Sequence, residues 1–146
     1  SSVGVESTII DCTGTNPRIL RPGAITQEMI ADATGIPLAS QVKNNEIPEI
    51  RVSGSLSSHY SPMATVLLDQ PPIAGEGFIA LAEIPTPEGV IRLACPENSE
   101  EFARVLYASL RAADEKGLQT VIVEQPQGNG IDIAIRDRLI RAANGR

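Results

Sequence analysis

Tryptophan is absent from this 146-residue chain, and only four aromatic residues are present: Tyr60, Phe78, Phe102 and Tyr107. Any core must therefore be aliphatic, filled by Val, Ile, Leu and Ala. Histidine occurs once, as His59, and the two cysteines, Cys12 and Cys95, are far apart with no C-x-x-C spacing. That pattern offers no zinc site and no support for a disulfide, so two buried reduced thiols are expected. Long apolar runs are missing too. None approaches the roughly 18 to 20 residues that span a bilayer, and the N-terminus lacks the basic-then-apolar pattern of a secretory signal. A soluble, cytoplasmic protein with no membrane partner is expected. Positive charge is in short supply: residues 1 to 62 carry 4 basic and 6 acidic groups, residues 63 to 146 carry 8 and 12, and the net charge is -6. Neither part has the field that draws a phosphate backbone, which excludes strong direct nucleic-acid binding.

What is present is the composition of a folded globular protein, 42% hydrophobic and 21% charged. The run from Val3 to Asp11 is rich in β-branched residues and closes on the turn formers Thr13 to Pro17, so it reads as a strand. Arg18 to Arg21 reads as a second strand, paired with the first as a hairpin and stopped by Pro22-Gly23. Thr26 is placed to cap a helix that Gly35 ends. A hairpin and one short helix bury little alone, so this part is expected to need a larger partner sheet.

Residues 38 to 62 carry no apolar period and read as a linker, one that contains Ser53-Gly54, five serines from Ser53 to Ser61, His59 and Tyr60. Beyond it the character changes. Thr65 to Leu68, Phe78 to Ala82, Val90 to Ala94 and Val121 to Val123 are apolar strands. Asn98 with Glu101 forms a capping-box variant ahead of a helix whose face carries Phe102, Val105, Leu106, Leu110 and Ala113, and Gly117 stops it. Ile131, Ile135, Leu139 and Ala142 mark a last helix. The order β-β-β-α-β-α predicts a small α/β layered sheet.

Four places offer chemistry. Ser7-Thr8 serves equally well as a pair of β-formers on a solvated strand face. Arg18 and Arg21 suit structural ion pairs or oxyanion recognition. His59-Tyr60 lies where packing gives it no role. Gly128 and Gly130 precede a helix, yet Gly-Asn-Gly matches no phosphate-binding pattern and reads as a plain αβ turn.

Taken in order, Gly4-Val5-Glu6-Ser7-Thr8-Ile9-Ile10-Asp11, Ile19-Leu20-Arg21-Pro22-Gly23-Ala24-Ile25, Ser53-Gly54 to His59-Tyr60-Ser61-Pro62, and Ala134-Ile135-Arg136-Asp137-Arg138-Leu139 with Ala142-Ala143 resemble the C-terminal half of the threonylcarbamoyl-AMP synthases. The likeness is to the long, two-domain form of the YrdC family, and it covers nearly the whole chain. It implies three parts: residues 1–37 as the terminal hairpin and helix of a YrdC-like catalytic domain, 38–62 as a linker, and 63–146 as a small Rossmann-like domain with a parallel-type sheet. The implied reaction is a nucleotidyl transfer from ATP, carried with Mg²⁺, to L-threonine and bicarbonate, for the threonylcarbamoyladenosine modification of tRNA. Proteins of that modification machinery are implied as partners.

By the same resemblance Ser7, Thr8 and Arg21 line the nucleotide and threonine pocket. His59 and Tyr60 act at the cavity mouth as a lid and count as the catalytic pair; no metal ligands are implied. The family's lysine–arginine and Ser-x-Asn motifs have no counterpart here. The chain alone is thus expected to be an inactive fragment that binds no cofactor tightly. The rival expectations are a regulatory or docking module that binds a nucleotide or a tRNA-modification partner, and a purely structural role in holding the linker.

Overall fold

The computed structural model describes residues 3–38 and 61–144. Strand β1 (Ile9–Asp11) pairs antiparallel with β2 (Arg18–Arg21), with a bulge between Ile9 and Ile10. Helix α1 (Gln27–Thr34) follows, its N-terminus capped by the Thr26 hydroxyl, which accepts the Met29 N–H. Gly35, at φ 68°, closes it by donating its N–H to Ala31 O.

The first strand is shorter than the expected run from Val3. Gly4 has φ 78°, outside the range strands adopt, and the carbonyls of Glu6 and Ser7 go to other partners. Glu6 O accepts the Ala24 N–H, and Ser7 O accepts two donors of Arg21. Two close approaches fix this segment. A Cβ on Gly4 would collide with the Ala103 carbonyl, and one on Gly23 with the Glu6 carbonyl, so only glycine allows the backbones to touch.

The second sheet consists of β3 (Thr65–Leu68), β4 (Gly77–Ile79), β5 (Ile91–Ala94) and β6 (Thr120–Val123), with α2 (Ser99–Glu115) between β5 and β6 and α3 (Ile131–Asn144) after β6. All four strands are parallel, in the order β3-β6-β4-β5. The Rossmann-like α/β expectation is therefore met.

Strand periodicity divides the apolar residues between two faces. Val66, Ile79, Val121 and Val123 face α2 and α3, packing with Phe102, Leu106, Leu110, Ala134, Ile135 and Leu139. Val5, from ahead of the hairpin, is 3% exposed and belongs to this same cluster. Phe78, Ala80 and Ile122 form a smaller cluster with Leu67, Ile84 and Val90.

That smaller cluster has no helical cover among the described residues, because the β3–β4 and β4–β5 connections contain no helix. Arg92 takes the place of one. It donates Nε to Ala94 O, Nη1 to Ile84 O and Thr86 Oγ1, and Nη2 to Ala80 O and Leu81 O, while its guanidinium stands 4.9 Å from the Phe78 ring centre. These bonds also explain why β4 stops at Ile79 and not at the expected Ala82. The carbonyls of Ala80 and Leu81 turn toward a side chain and leave the ladder.

Two local expectations need correction. Asn98 Oδ1 caps α2 by accepting the Glu101 N–H, but the Glu101 carboxylate reaches back to the Glu97 N–H, one residue earlier than a capping box requires. Cys12 and Cys95 are free but exposed, not buried, since each falls in the loop just after a strand.

Replacing Arg92 with Lys is expected to destabilise the chain by about 2 to 3 kcal/mol, because one ammonium cannot fill four carbonyls splayed for a planar fork. Urea denaturation of Arg92→Lys against the parent checks this; an unchanged midpoint would refute the role given to Arg92.

Candidate functional site

Residues 6 to 8 run beside the loop that leaves β2, and each residue is held differently. Thr8 Oγ1 donates to Ile25 O at 2.6 Å and accepts the Ile25 N–H at 3.1 Å. A hydroxyl has one proton and two lone pairs, so Thr8 retains a single acceptor position for anything else. Arg21 brackets the Ser7 carbonyl with Nε at 3.1 Å and Nη2 at 3.0 Å, and places Nη1 3.0 Å from Glu6 Oε2. Its side chain is 12% exposed. Ser7 itself is exposed. The structure thus brings Ser7, Thr8 and Arg21 together, with distinct duties: Ser7 presents a hydroxyl, while Thr8 and Arg21 fix the backbone that carries it.

Glu6 and the arginines of α3 were not singled out as site residues on sequence. Glu6 Oε1 lies 3.5 Å from Arg138 Nη2, and Glu6 Oε2 lies 3.8 Å from Arg141 Nη1, so three guanidinium groups converge on one carboxylate. Arg138 is buried, with its guanidinium carbon 3.4 Å from the Tyr107 ring centre, a stacked cation–π contact that sets its orientation. Burial lowers the Arg138 pKa to about 10, with Glu6 pulling the other way, and it remains a cation at neutral pH. Burial also pushes the Asp137 carboxyl up, against the pull of Arg141, which donates to it. Two sequence signals touch this group: Glu6, Arg21 and Arg138 lie within the motifs that carry the resemblance, and Arg138 and Arg141 are three apart on a helix and thus on one face.

The other candidates resolve more simply. Arg18 Nε donates to Asp11 Oδ2 at 2.8 Å, an ion pair across the hairpin. Ahead of α3, the Gly128 N–H is taken by Asp132 Oδ2 at 2.8 Å, so the helix's own first-turn carboxylate fills the anion position. At the carboxyl ends of the adjacent strands β3 and β6 lies an open cleft of about 390 Å³, lined by Asp69, Gln70, Pro71, Pro72, Glu124, Gln125 and Gln127. Parallel sheets commonly bind ligands at such an edge, but two carboxylates with no Lys or Arg repel a phosphate. His59 and Tyr60 lie outside the described residues. Among the described residues there is no cluster of three His, Cys, Asp or Glu that could hold a metal ion.

A family model described as the C-terminal domain of threonylcarbamoyl-AMP synthase matches residues 25–144. The curated threonylcarbamoyl-AMP synthase of Pyrococcus abyssi (strain GE5 / Orsay) is 30% identical over 160 residues, which cover 99% of this chain and 47% of the relative. That of Bacillus subtilis (strain 168) is 30% identical over 164 residues, covering 100% and 47%. A crystal structure of P. abyssi Sua5 complexed with L-threonine superposes with a TM-score of 0.76 at 27% identity, covering 100% of this chain and 48% of that one. The chain spans about half the length of the curated relatives it matches.

The hairpin's acid response follows from Asp11. The Thr13 hydroxyl and amide, then Arg18, lower its pKa from 3.8 to about 2. A depressed carboxylate stabilises the fold above its unfolded pKa, and the contribution is lost as pH falls through the folded value. Asp11→Asn is therefore expected to weaken the protein at neutral pH, with the gap to the parent closing as pH falls from about 4 toward 2. Denaturation midpoints of both proteins across that range check it; a constant gap would show that Asp11 acts other than as a carboxylate.

Proposed function

Because the chain belongs to the threonylcarbamoyl-AMP synthase family, we infer that it supplies the C-terminal half of an enzyme making threonylcarbamoyl-AMP from ATP, L-threonine and bicarbonate. In this reading the threonine amine and bicarbonate form a carbamate with loss of water. A carbamate oxygen then attacks the α-phosphorus of ATP, and pyrophosphate leaves. The product feeds the threonylcarbamoyladenosine modification of tRNA. Proteins of that pathway are its natural partners, in the cytoplasm. Among the described residues no helix is long and apolar enough to cross a membrane.

The observation that carries this reading is the exposed Ser7 hydroxyl on a backbone pinned by Arg21 and Thr8, within a chain that superposes on a threonine-bound relative. Such a rigid polar edge suits a small amino acid and a nucleotide, because preorganised donors need no rearrangement as charge develops. Arg21 acts here through the Ser7 carbonyl, with its remaining donor capacity turned to Glu6 or a substrate oxyanion. Mg²⁺ enters as the companion of the triphosphate and not as an ion resident on these residues. His59 and Tyr60 are assigned to a lid that keeps water from the carbamate and the mixed anhydride. Boundaries near residues 37 and 62 divide the catalytic part, the lid and the Rossmann-like part in this reading. The acidic lining of the carboxyl-edge cleft argues against the rival role of nucleotide sensing by residues 63–146.

Threonine-dependent pyrophosphate release is expected from the protein at the length of its relatives, and none from residues 1–146 alone. Turnover by the 146-residue chain would overturn this division of labour. In the longer protein His59→Ala or Tyr60→Ala is expected to lower product formation about tenfold or more at an unchanged melting temperature. Full activity in both variants removes the lid.

A further inference from the structure

We propose that Arg138 and Arg141 on α3 are positioning residues, which act through Glu6 to hold the Ser7–Thr8 edge in place for substrate. The inference rests on the reading of Ser7 and Thr8 as pocket residues.

Residues 6 to 8 have polar attachments both local and longer in range. Three are local to the hairpin: Glu6 O to the Ala24 N–H, Ser7 O to Arg21, and the Thr8 hydroxyl to Ile25. A longer-range one is the Glu6 carboxylate, which reaches α3, where it meets Arg138 and Arg141. The local bonds shape the hairpin, while Val5 in the main core and Ala24 packed against it seat the segment on the sheet layer. Apolar contacts carry little direction, and the Glu6 attachment adds it, since α3 is seated in the main core through Ala134, Ile135 and Leu139.

The arginines are themselves set by their surroundings. Arg138 is stacked on Tyr107 of α2, and Arg141 is tied to Asp137 one turn back. A line of contacts therefore runs from Tyr107 through Arg138 to Glu6 and on to Ser7.

The chemistry of the cluster favours placement over stability. A buried guanidinium gains little net stability from an ion pair once desolvation is counted, and Arg138 sits more than 3 Å from its carboxylate at 3.5 Å. Arg21 at 3.0 Å already neutralises Glu6. The two further cations add direction, because a carboxylate pulled from several sides has one resting position.

The test uses the longer protein, with threonine-dependent pyrophosphate release established for the parent. Arg138→Met and Arg141→Gln are each expected to raise KM for threonine and ATP about tenfold while kcat changes much less, the pattern of substrate groups displaced but not removed. Arg141 is a third exposed, so Arg141→Gln keeps the measurement available if Arg138→Met fails to fold. Combining Glu6→Gln with Arg138→Met distinguishes positioning from packing. If Arg138 acts through Glu6, the double variant is no worse than Glu6→Gln alone; if it merely packs on Tyr107, the losses multiply. Unchanged KM in both arginine variants, or multiplying losses, overturns the proposal. The 146-residue chain provides a readout independent of activity: the amide resonances of Ser7 and Thr8 should shift in Arg141→Gln. A parent without pyrophosphate release, alongside such shifts, would sink the reaction and leave the positioning contact standing; absent shifts would sink the contact itself.

Discussion

A single carboxylate ties the N-terminal hairpin to the helix layer of the second sheet. Glu6 lies between a two-stranded hairpin too small to hold a core and a four-stranded sheet that has one, and it is the side chain through which arginines of α3 reach the hairpin. Coulomb attraction at such distances is strong only where water is scarce, and Glu6 and Arg138 are both largely shielded. The same shielding makes the cluster one-sided: three cations without the carboxylate would repel each other in a poor solvent for charge. Val5, next to Glu6, adds an apolar anchor in the main core, so adjacent residues attach the segment by two unrelated forces.

The sheet shows a different economy. Parallel strands buried on both faces usually carry helices on both, and β6, with Val121, Ile122 and Val123 all within 2% exposure, demands cover on each side. Helices α2 and α3 cover one face. On the other, short loops rich in proline arch over Phe78 and Ile122, and their inward carbonyls find donors in Arg92. One saturated guanidinium thus does the hydrogen-bonding work that a helix does within its own backbone. A small domain can stay small this way.

Much of this was legible from local signals. Thr26 and Gly35 bound α1, and Asn98 begins α2, because caps are decided within a few residues. The hairpin and every strand of the second sheet were visible as apolar runs between turn formers, and order along the chain identified the family. Strand sequence within the sheet was not visible, since inserting β6 between β3 and β4 is settled by long-range packing. Nor was the Glu6 cluster, whose members come from opposite ends of the chain and carry no mutual spacing. Arg92 looked like any charged residue in a strand; its role depends on where loop carbonyls point. For the site itself, Ser7, Thr8 and Arg21 could be grouped by resemblance, but which of them faces solvent and which are committed to the backbone emerged only from geometry.

Gly4 and Gly23 bear on how such an assembly keeps its alignment. Each lets one main chain rest directly on another, Gly4 on the α2 carbonyl of Ala103 and Gly23 on that of Glu6. Side-chain contacts can creep, because rotamers exchange and aliphatic groups slide past one another. Main chain against main chain has no rotamers and hence no slack. The two glycines serve as hard stops that fix the spacing of the layers, while the charged cluster between them draws the parts against those stops.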